Sequence, residues 1–499
     1  MESGGGQAGD RETPGTFRWP QERRSSTPPS GPAHVPGTGW QAWAQRGILA
    51  LGCIASLWIF FAPLAPGLSP AGKTAGAVFI LCTTLWITNM IPFGVTGLLA
   101  IAMLGILGGM KPNDAFAAFG SSAVFFLIGV FIIGGALVDS GLSKRCALLF
   151  LRYFEGSPYA FATGMMLAAA FGTMWMPNQA TSAMLFPVAV EVAIALRLRP
   201  LSSNYAKTLF LSLAWGAMIG SNASMLGSTR AALALGMLHE SYGSSISFSK
   251  WVTASLPSVL LGLAVAPFIL RWCFPREEVH FASARTMLEK TVADMGRANR
   301  RQWLVGTIVG LTIAAWVLVG HRVDLAIISL FGAAMLFVAR TLSWEEAERR
   351  IFWNIVLMYG GAIALGVAID RTGAARWLVE RYIGGMTMPP LMAVGLVVVG
   401  TLLLSEFMSN AAAVAVMLPL AFSMGDRLGA SPVALTLATS IGAGLDFALP
   451  FSSAPNTIVF ASGYLRMMDV VKAGGIMTVA SVLIVLLIAW LWWPLIGLV

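Results

Sequence analysis

The sequence predicts an all-α polytopic membrane protein built as two related halves, and three observations carry that expectation. Of 499 residues, 57% are hydrophobic and only 11% charged, against about 25% charged in an ordinary soluble domain. Mean hydropathy is +0.76, so the bilayer is the solvent that suits this chain. Apolar stretches approaching the roughly 20 residues of a spanning helix recur throughout. Finally, an uncharged polar step is written twice, as "WMPNQATSAML" (175–185) and "FMSNAAAVAVML" (407–418).

Taken in order, residues 1–45 are rich in Gly, Pro, Ser and charge. They bury too little apolar surface to offset chain entropy, which predicts a disordered cytoplasmic tail. The apolar run starts too late for a signal peptide and lacks a small-residue cleavage pattern. The first half, 46–275, holds candidate spans near 47–66, 72–91, 94–109, 122–138, 160–175, 206–226 and 252–273. A charged linker follows at 276–302, "REEVHFASARTMLEKTVADMGRANRRQ", and reads as soluble. The second half, 303–499, holds spans near 303–320, 323–340, 353–369, 388–405, 432–449 and 474–497. Two shorter apolar stretches, 180–196 and 411–424, come directly after the two motif copies. About eleven to thirteen embedded segments are expected, several of them broken.

Charge placement orients the chain. Arg11, Arg18, Arg23, Arg24 and Arg46 lie in or beside the tail, whereas no Lys or Arg follows Lys472. The positive-inside rule then places the N-terminus in the cytoplasm and the C-terminus outside, with an odd number of spans. The net charge of +9 clusters at helix ends, which argues against a nucleic-acid partner. Cys53, Cys82, Cys146 and Cys273 show no metal spacing and read as packed apolar thiols. The histidines His34, His239, His280 and His321 are dispersed, so no catalytic constellation emerges. No phosphate-binding G-x-x-x-x-G-K-[ST] loop marks a primary pump.

The duplication extends beyond the polar step. "GGALVDSGLSKRCALLFLRYF" (134–154) parallels "LGVAIDRTGAARWLVERYI" (365–383). Asp139 and Asp370 stand 231 residues apart, and Asn178 and Asn410 stand 232 apart. Pro187 and Pro419 follow each Asn at one distance, and Thr173 and Ser405 precede each at another. Internal repeats are a transporter signature, with binding sites near the midplane where repeats meet. A broken helix frees carbonyls for a cation and N–H groups for an anion. Pro177 cannot donate an N–H and disfavours helix at Met176, while each Asn carboxamide carries both an acceptor and donors. The competing reading is helix packing, with these polar groups serving as interhelical hydrogen bonds.

At this point a family resemblance is visible. "GLDFALPFSSAPNTIVFASGYLRMMDVVKAGG" (444–475), "SEFMSNAAAVAVMLPL" (405–420) and "GGAIALGVAIDRTG" (360–373) resemble the second half of the divalent anion/sodium symporter family. The likeness runs from about residue 47 to the end and is looser in the first half. It implies an inverted-repeat homodimer with eleven transmembrane helices plus two re-entrant hairpins, tips near 177–179 and 409–411. Scaffold and transport domains would move against each other as an elevator.

The resemblance also implies a first sodium site at Thr173, Pro177 (carbonyl), Asn178 and Gly227. A second would lie at Ser405, Met408 (carbonyl), Asn410 and Ser452. Substrate would be held at Asn178, Gln179, Ser228, Thr229, Arg230, Ser409, Asn410, Ala411, Ser453 and Ala454. Departures fall on the anion side. The family's Ser-Asn-Thr tips become Pro177-Asn178-Gln179 and Ser409-Asn410-Ala411, and its Thr-Pro-Pro-Asn turns become Ser228-Thr229-Arg230-Ala231 and Ser453-Ala454-Pro455-Asn456.

Arg230 is an intramembrane charge and by default a functional candidate. It can hold an anion bidentately, or tie down backbone carbonyls at a helix end. Glu406 and Asp446 are also embedded; either can carry a proton, shape a cation site or act as a structural partner for Arg230, and Glu406, beside the hairpin tip, reads first as the anchor of a helix end. The function expected is sodium-coupled secondary transport of a small divalent organic anion, a C4-dicarboxylate. No cofactor beyond the coupling ions is called for, and the setting is the plasma (inner) membrane. Rivals are a sodium-independent exchanger or proton-coupled carrier, a sulfate transporter, a channel, and a membrane-embedded enzyme.

Overall fold

A computed structural model of the chain describes residues 39–61, 67–383 and 388–498. Residues 1–38 of the expected tail lie outside them. The described residues form helices joined by short connections. Among the described residues, seven helices are long and apolar enough to cross a membrane, with shorter apolar helices between them.

The first half begins with α1 (Gly39–Phe61), α2 (Pro70–Thr88), α3 (Phe93–Ile106), α4 (Pro112–Ala117) and α5 (Ser122–Asp139). It continues through α6 (Leu142–Leu151), α7 (Pro158–Gly172), α8 (Asn178–Ala195), α9 (Asn204–Gly220), α10 (Thr229–Tyr242) and α11 (Phe248–Cys273). The charged linker carries α12 (Ala282–Asp294). The second half runs α13 (Arg300–Leu318), α14 (Leu325–Val338), α15 (Trp344–Arg350), α16 (Trp353–Arg371) and α17 (Ala374–Ile383). It closes with α18 (Pro390–Ser405), α19 (Asn410–Leu428), α20 (Pro432–Gly442), α21 (Ala454–Phe460) and α22 (Met467–Leu491). α1 opens seven residues inside the stretch assigned to the tail, because the Gly- and Pro-rich composition ends at Gly39.

Local sequence explains many boundaries. Ser69-Pro70, Ser157-Pro158 and Ser431-Pro432 each start a helix, the serine oxygen accepting an N–H from the first turn. The proline loses nothing there, since its missing N–H would have been unpaired anyway.

The element order repeats. From α5 to α11 the pattern is a long helix, a ten-residue helix, a hairpin, a broken helix and a long helix. From α16 to α22 it is the same, with α6 and α17 both ten residues long and α8 and α19 each enclosing a proline. The bases of the two hairpins, α7–α8 and α18–α19, are tied to different elements. Tyr159, at the base of the first, takes the Glu277 N–H on its hydroxyl beside the start of α9. Asp426, at the base of the second, accepts from Tyr242 at the far end of α10.

Helix crossings are tightened by small residues, as membrane packing requires. α3 packs along α16, where Gly97 and Gly361 meet; a Cβ at Gly97 would stand 2.7 Å from the Leu357 carbonyl. The linker is docked rather than free. α12 packs on α6 and α8, and Arg145 Nη1 and Nη2 donate to the Gly296 and Met295 carbonyls at 2.8 and 2.7 Å.

Candidate functional site

Two hairpin tips and two helix breaks make the site. At the first tip, α7 stops at Gly172 and α8 resumes at Asn178, with Pro177 as the residue before it, at φ −54° and ψ 140°. The Pro177 carbonyl accepts from Ala180 and Thr181 N–H at 2.9 and 3.1 Å, which winds the first turn of α8. The facing break, 221–228, is buried throughout. Asn178 N–H donates to the Gly227 carbonyl at 3.1 Å, and Ser224 Oγ donates to the Met174 carbonyl at 2.6 Å. These two bonds sew tip to break. Thr173 is fully buried, its hydroxyl donating to the Ala170 carbonyl at 2.9 Å. A Cβ on Gly227 would collide with the Thr173 carbonyl oxygen. Thr173, Pro177, Asn178 and Gly227 are therefore brought to one place.

The second tip is built on other chemistry. Ser409 caps α19, its Oγ accepting from Ala412 N–H at 3.2 Å. The Glu406 carboxylate accepts the N–H groups of Ala448 and Leu449, both at 3.2 Å, and so holds the tip to the break at 443–453. Asp446, fully buried inside that break, accepts from Asn410 Nδ2 on Oδ1 at 3.2 Å. Its main-chain carbonyl accepts from Ser452 Oγ at 2.7 Å and from Asn456 Nδ2 at 3.4 Å. Asn410 and Ser452 thus converge on Asp446. Ser405 and Met408 are buried in the turn beside them, the Ser405 hydroxyl donating to the Leu402 carbonyl at 2.9 Å.

Arg230 crosses between the repeats. It is 2% exposed. Its Nε donates to the Ser440 carbonyl at 2.8 Å, and Nη2 to Ser221 Oγ at 3.2 Å and Asn222 Oδ1 at 2.7 Å. Gly444 is the residue that makes room: a side chain there would run into the guanidinium. The fork expected for an anion is thus engaged by the first break and by the last turn of α20, and it lies within electrostatic reach of Asp446. Thr229 starts α10, its carbonyl taking the Tyr359 hydroxyl of α16. Ser453 Oγ lies 3.3 Å from the Met218 sulfur, Ala454 begins α21, and Ala411 is buried in the first turn of α19.

Five buried polar atoms in this region have no hydrogen-bond partner: Gln179 Nε2, Ser182 Oγ, Ser228 Oγ, Asp446 Oδ2 and Asn456 Oδ1. An unpaired buried polar group costs about 1–3 kcal/mol, so these atoms are candidate partners for ligand groups. The N-termini of α8, α10 and α19 open at the same tips and breaks, and helix N-termini favour anions. Hard oxygens for a cation and N–H dipoles for an anion thus share one region. Asn456, Ser224, Asn222 and Gly444 were not among the expected site residues. Asn222 and Ser224 lie in the Gly- and Ser-rich stretch "GSNASMLGS" (220–228), so a signal existed.

Residues 43–499 match the family described as the sodium:sulfate symporter transmembrane region. The chain belongs to this family. It is an integral membrane transporter, not an enzyme, and the divalent anion/sodium symporter resemblance is confirmed. The sodium-dependent dicarboxylate transporter SdcS of Staphylococcus aureus (strain bovine RF122 / ET3-1) is 25% identical over 446 residues, covering 84% of this chain and 86% of the relative. SdcS from strain NCTC 8325 / PS 47 is 24% identical over the same length, with the same two coverages. Among solved structures, the YdaH transporter of Alcanivorax borkumensis superposes with a TM-score of 0.55 at 16% identity, covering 79% of this chain and 89% of that one. MtrF of Neisseria gonorrhoeae gives 0.54 at 14%, covering 91% and 94%. These two similarities concern the transporter fold alone.

Proposed function

We propose that this symporter-family chain couples sodium to the movement of a small divalent organic anion, a C4-dicarboxylate, across the plasma (inner) membrane. The observation that carries the reading is the pairing of each hairpin tip with a helix break, with unpartnered buried polar atoms between them. The naming of the SdcS relatives as sodium-dependent dicarboxylate transporters supports the choice of substrate and ion. Oxygens of Thr173, Asn178, Gly227, Ser405, Met408, Asn410 and Ser452 suit sodium, a hard cation. The Pro177 carbonyl already takes two N–H groups, so it contributes through the turn it shapes.

The anion is held by Asn178, Gln179, Ser228, Thr229, Ser409, Asn410, Ser453 and the backbone at Ala411 and Ala454. Arg230 acts on it through charge rather than through a bidentate fork. The hairpins and broken helices travel as a transport domain against a scaffold of α1–α5 and α13–α16, in a homodimer with the N-terminus cytoplasmic and the C-terminus outside. Carriage of sodium with the anion lets an inward sodium gradient drive accumulation.

A thermal-unfolding screen of the purified protein against succinate, malate, citrate and sulfate, with sodium or choline as the cation, tests the assignment. A ligand present at 100 times its Kd stabilises by about 2.7 kcal/mol. C4-dicarboxylates should raise the midpoint in sodium and fail to do so in choline. Stabilisation by sulfate alone reassigns the substrate, and equal stabilisation in choline removes the coupling.

A further inference from the structure

We propose that Asp446 Oδ2 is a direct cation ligand, so that the second cation site is anionic while the first is built from neutral oxygens alone. This inference rests on the sodium reading above and deepens it. It begins from an asymmetry between the repeats. The break facing the first tip, 221–228, reads "SNASMLGS" and holds no carboxylate; the break facing the second, 443–453, reads "AGLDFALPFSS" and holds Asp446.

The position of Asp446 fits a ligand better than a structural anchor. Its side chain is fully buried, and a buried carboxylate needs either a counter-charge or a set of donors. Only Oδ1 has a partner, Asn410 Nδ2, while Oδ2 is buried with none. Glu406, the neighbouring acid, contrasts with it: its two oxygens each take a backbone N–H, and its work is anchoring. The charge of Arg230 reaches Asp446, yet its Nε and Nη2 are directed to Ser440, Ser221 and Asn222.

The open oxygen has company. Asn410 and Ser452, both expected in the second sodium site, are bonded to Asp446 itself. Asn456, bonded to the Asp446 carbonyl, presents a second buried oxygen, Oδ1, with no partner. The residues bonded to Asp446 thus bring carboxylate, carboxamide and hydroxyl oxygens together, the oxygen types a hard cation takes. Arg230 then balances the negative charge from the other repeat when the site is empty.

Equilibrium binding of radiolabelled sodium to the purified full-length protein, without anion, reads this directly. Asp446→Asn keeps the shape and removes the charge; it should weaken one class of sodium binding by at least tenfold. Asn178→Ala should leave that class in place and weaken the other. Asp446→Glu keeps the charge, shifts the oxygens by one methylene and should change the preference for sodium over lithium in competition. That arm decides the matter if the Asn variant does not fold. A sodium isotherm for Asp446→Asn that superimposes on the wild type overturns this inference alone, as does an unaltered sodium/lithium preference in Asp446→Glu. If the wild-type protein binds no sodium, the coupling reading falls and this inference falls with it.

Discussion

Asn178 meets Gly227 through the main chain: its N–H donates to the Gly227 carbonyl at 3.1 Å, leaving the carboxamide free of that duty. Removing the carboxamide therefore spares the bond that holds tip to break. Asn178→Ala should unfold within about 1 kcal/mol of wild type, the size of one ordinary hydrogen bond. Its sodium activation of uptake should move to at least tenfold higher sodium. Asn410→Ala should show the same shift, because Asn410 orients Asp446. Unchanged sodium-activation curves in both variants would remove the tips from the cation sites.

Gly227 tests the same junction by crowding. A methyl group there collides with the Thr173 carbonyl oxygen and stands 2.8 Å from Ser221 Cα. Overpacking of this kind costs roughly 1–3 kcal/mol. Gly227→Ala should lower the thermal midpoint and also blunt sodium stabilisation, since the tip can no longer seat on the break. A variant with the wild-type midpoint and the wild-type sodium response contradicts the packing described.

Arg230 separates a structural tie from a ligand contact. Lys keeps the charge but lacks the planar fork, so it cannot serve Ser440 together with Ser221 and Asn222. Arg230→Ala removes the donors to Ser440, Ser221 and Asn222, and a hydrogen bond to a charged group is worth roughly 1.5–3 kcal/mol. Both variants should show a lower unfolding midpoint, with Ala the worse. The apparent substrate affinity of folded Arg230→Lys should stay within threefold of wild type. A wild-type midpoint with affinity reduced ten- to a hundredfold would make Arg230 a direct anion contact.

Much of this was legible in the sequence because membrane helices are written in composition and repeats in spacing. The nearly constant offset of Asp139/Asp370, Asn178/Asn410 and Pro187/Pro419 led to both tips. The hidden part was carried by contacts between distant segments. Ser440 offers Arg230 a main-chain carbonyl, which no side-chain pattern can announce. Gly444 matters for what it lacks, and its role is visible only once the guanidinium is beside it. Glu406 could be read as anchor or proton carrier until its two backbone donors were placed. The docked linker was missed for a similar reason, since a charged amphipathic segment looks soluble until Arg145 caps it from α6.

Inverted repeats would bring the two hairpins in from opposite faces, which predicts labelling from opposite sides. Single cysteines replacing Gln179 and Ala411, in a background lacking Cys53, Cys82, Cys146 and Cys273, should react with an impermeant thiol reagent from different faces of the membrane. Saturating substrate with sodium should protect both. Reaction of both from one face under every condition contradicts the inverted arrangement.

The central claim is that sodium and a dicarboxylate move together through the paired tips and breaks. Its most direct test is succinate uptake into proteoliposomes holding the purified protein, with an imposed inward sodium gradient. Uptake should rise above equilibrium while the gradient lasts and collapse when choline replaces sodium. It should also be lost in Asn178→Ala and Asn410→Ala at the same sodium concentration. Succinate accumulation of equal rate and extent in choline would contradict the account.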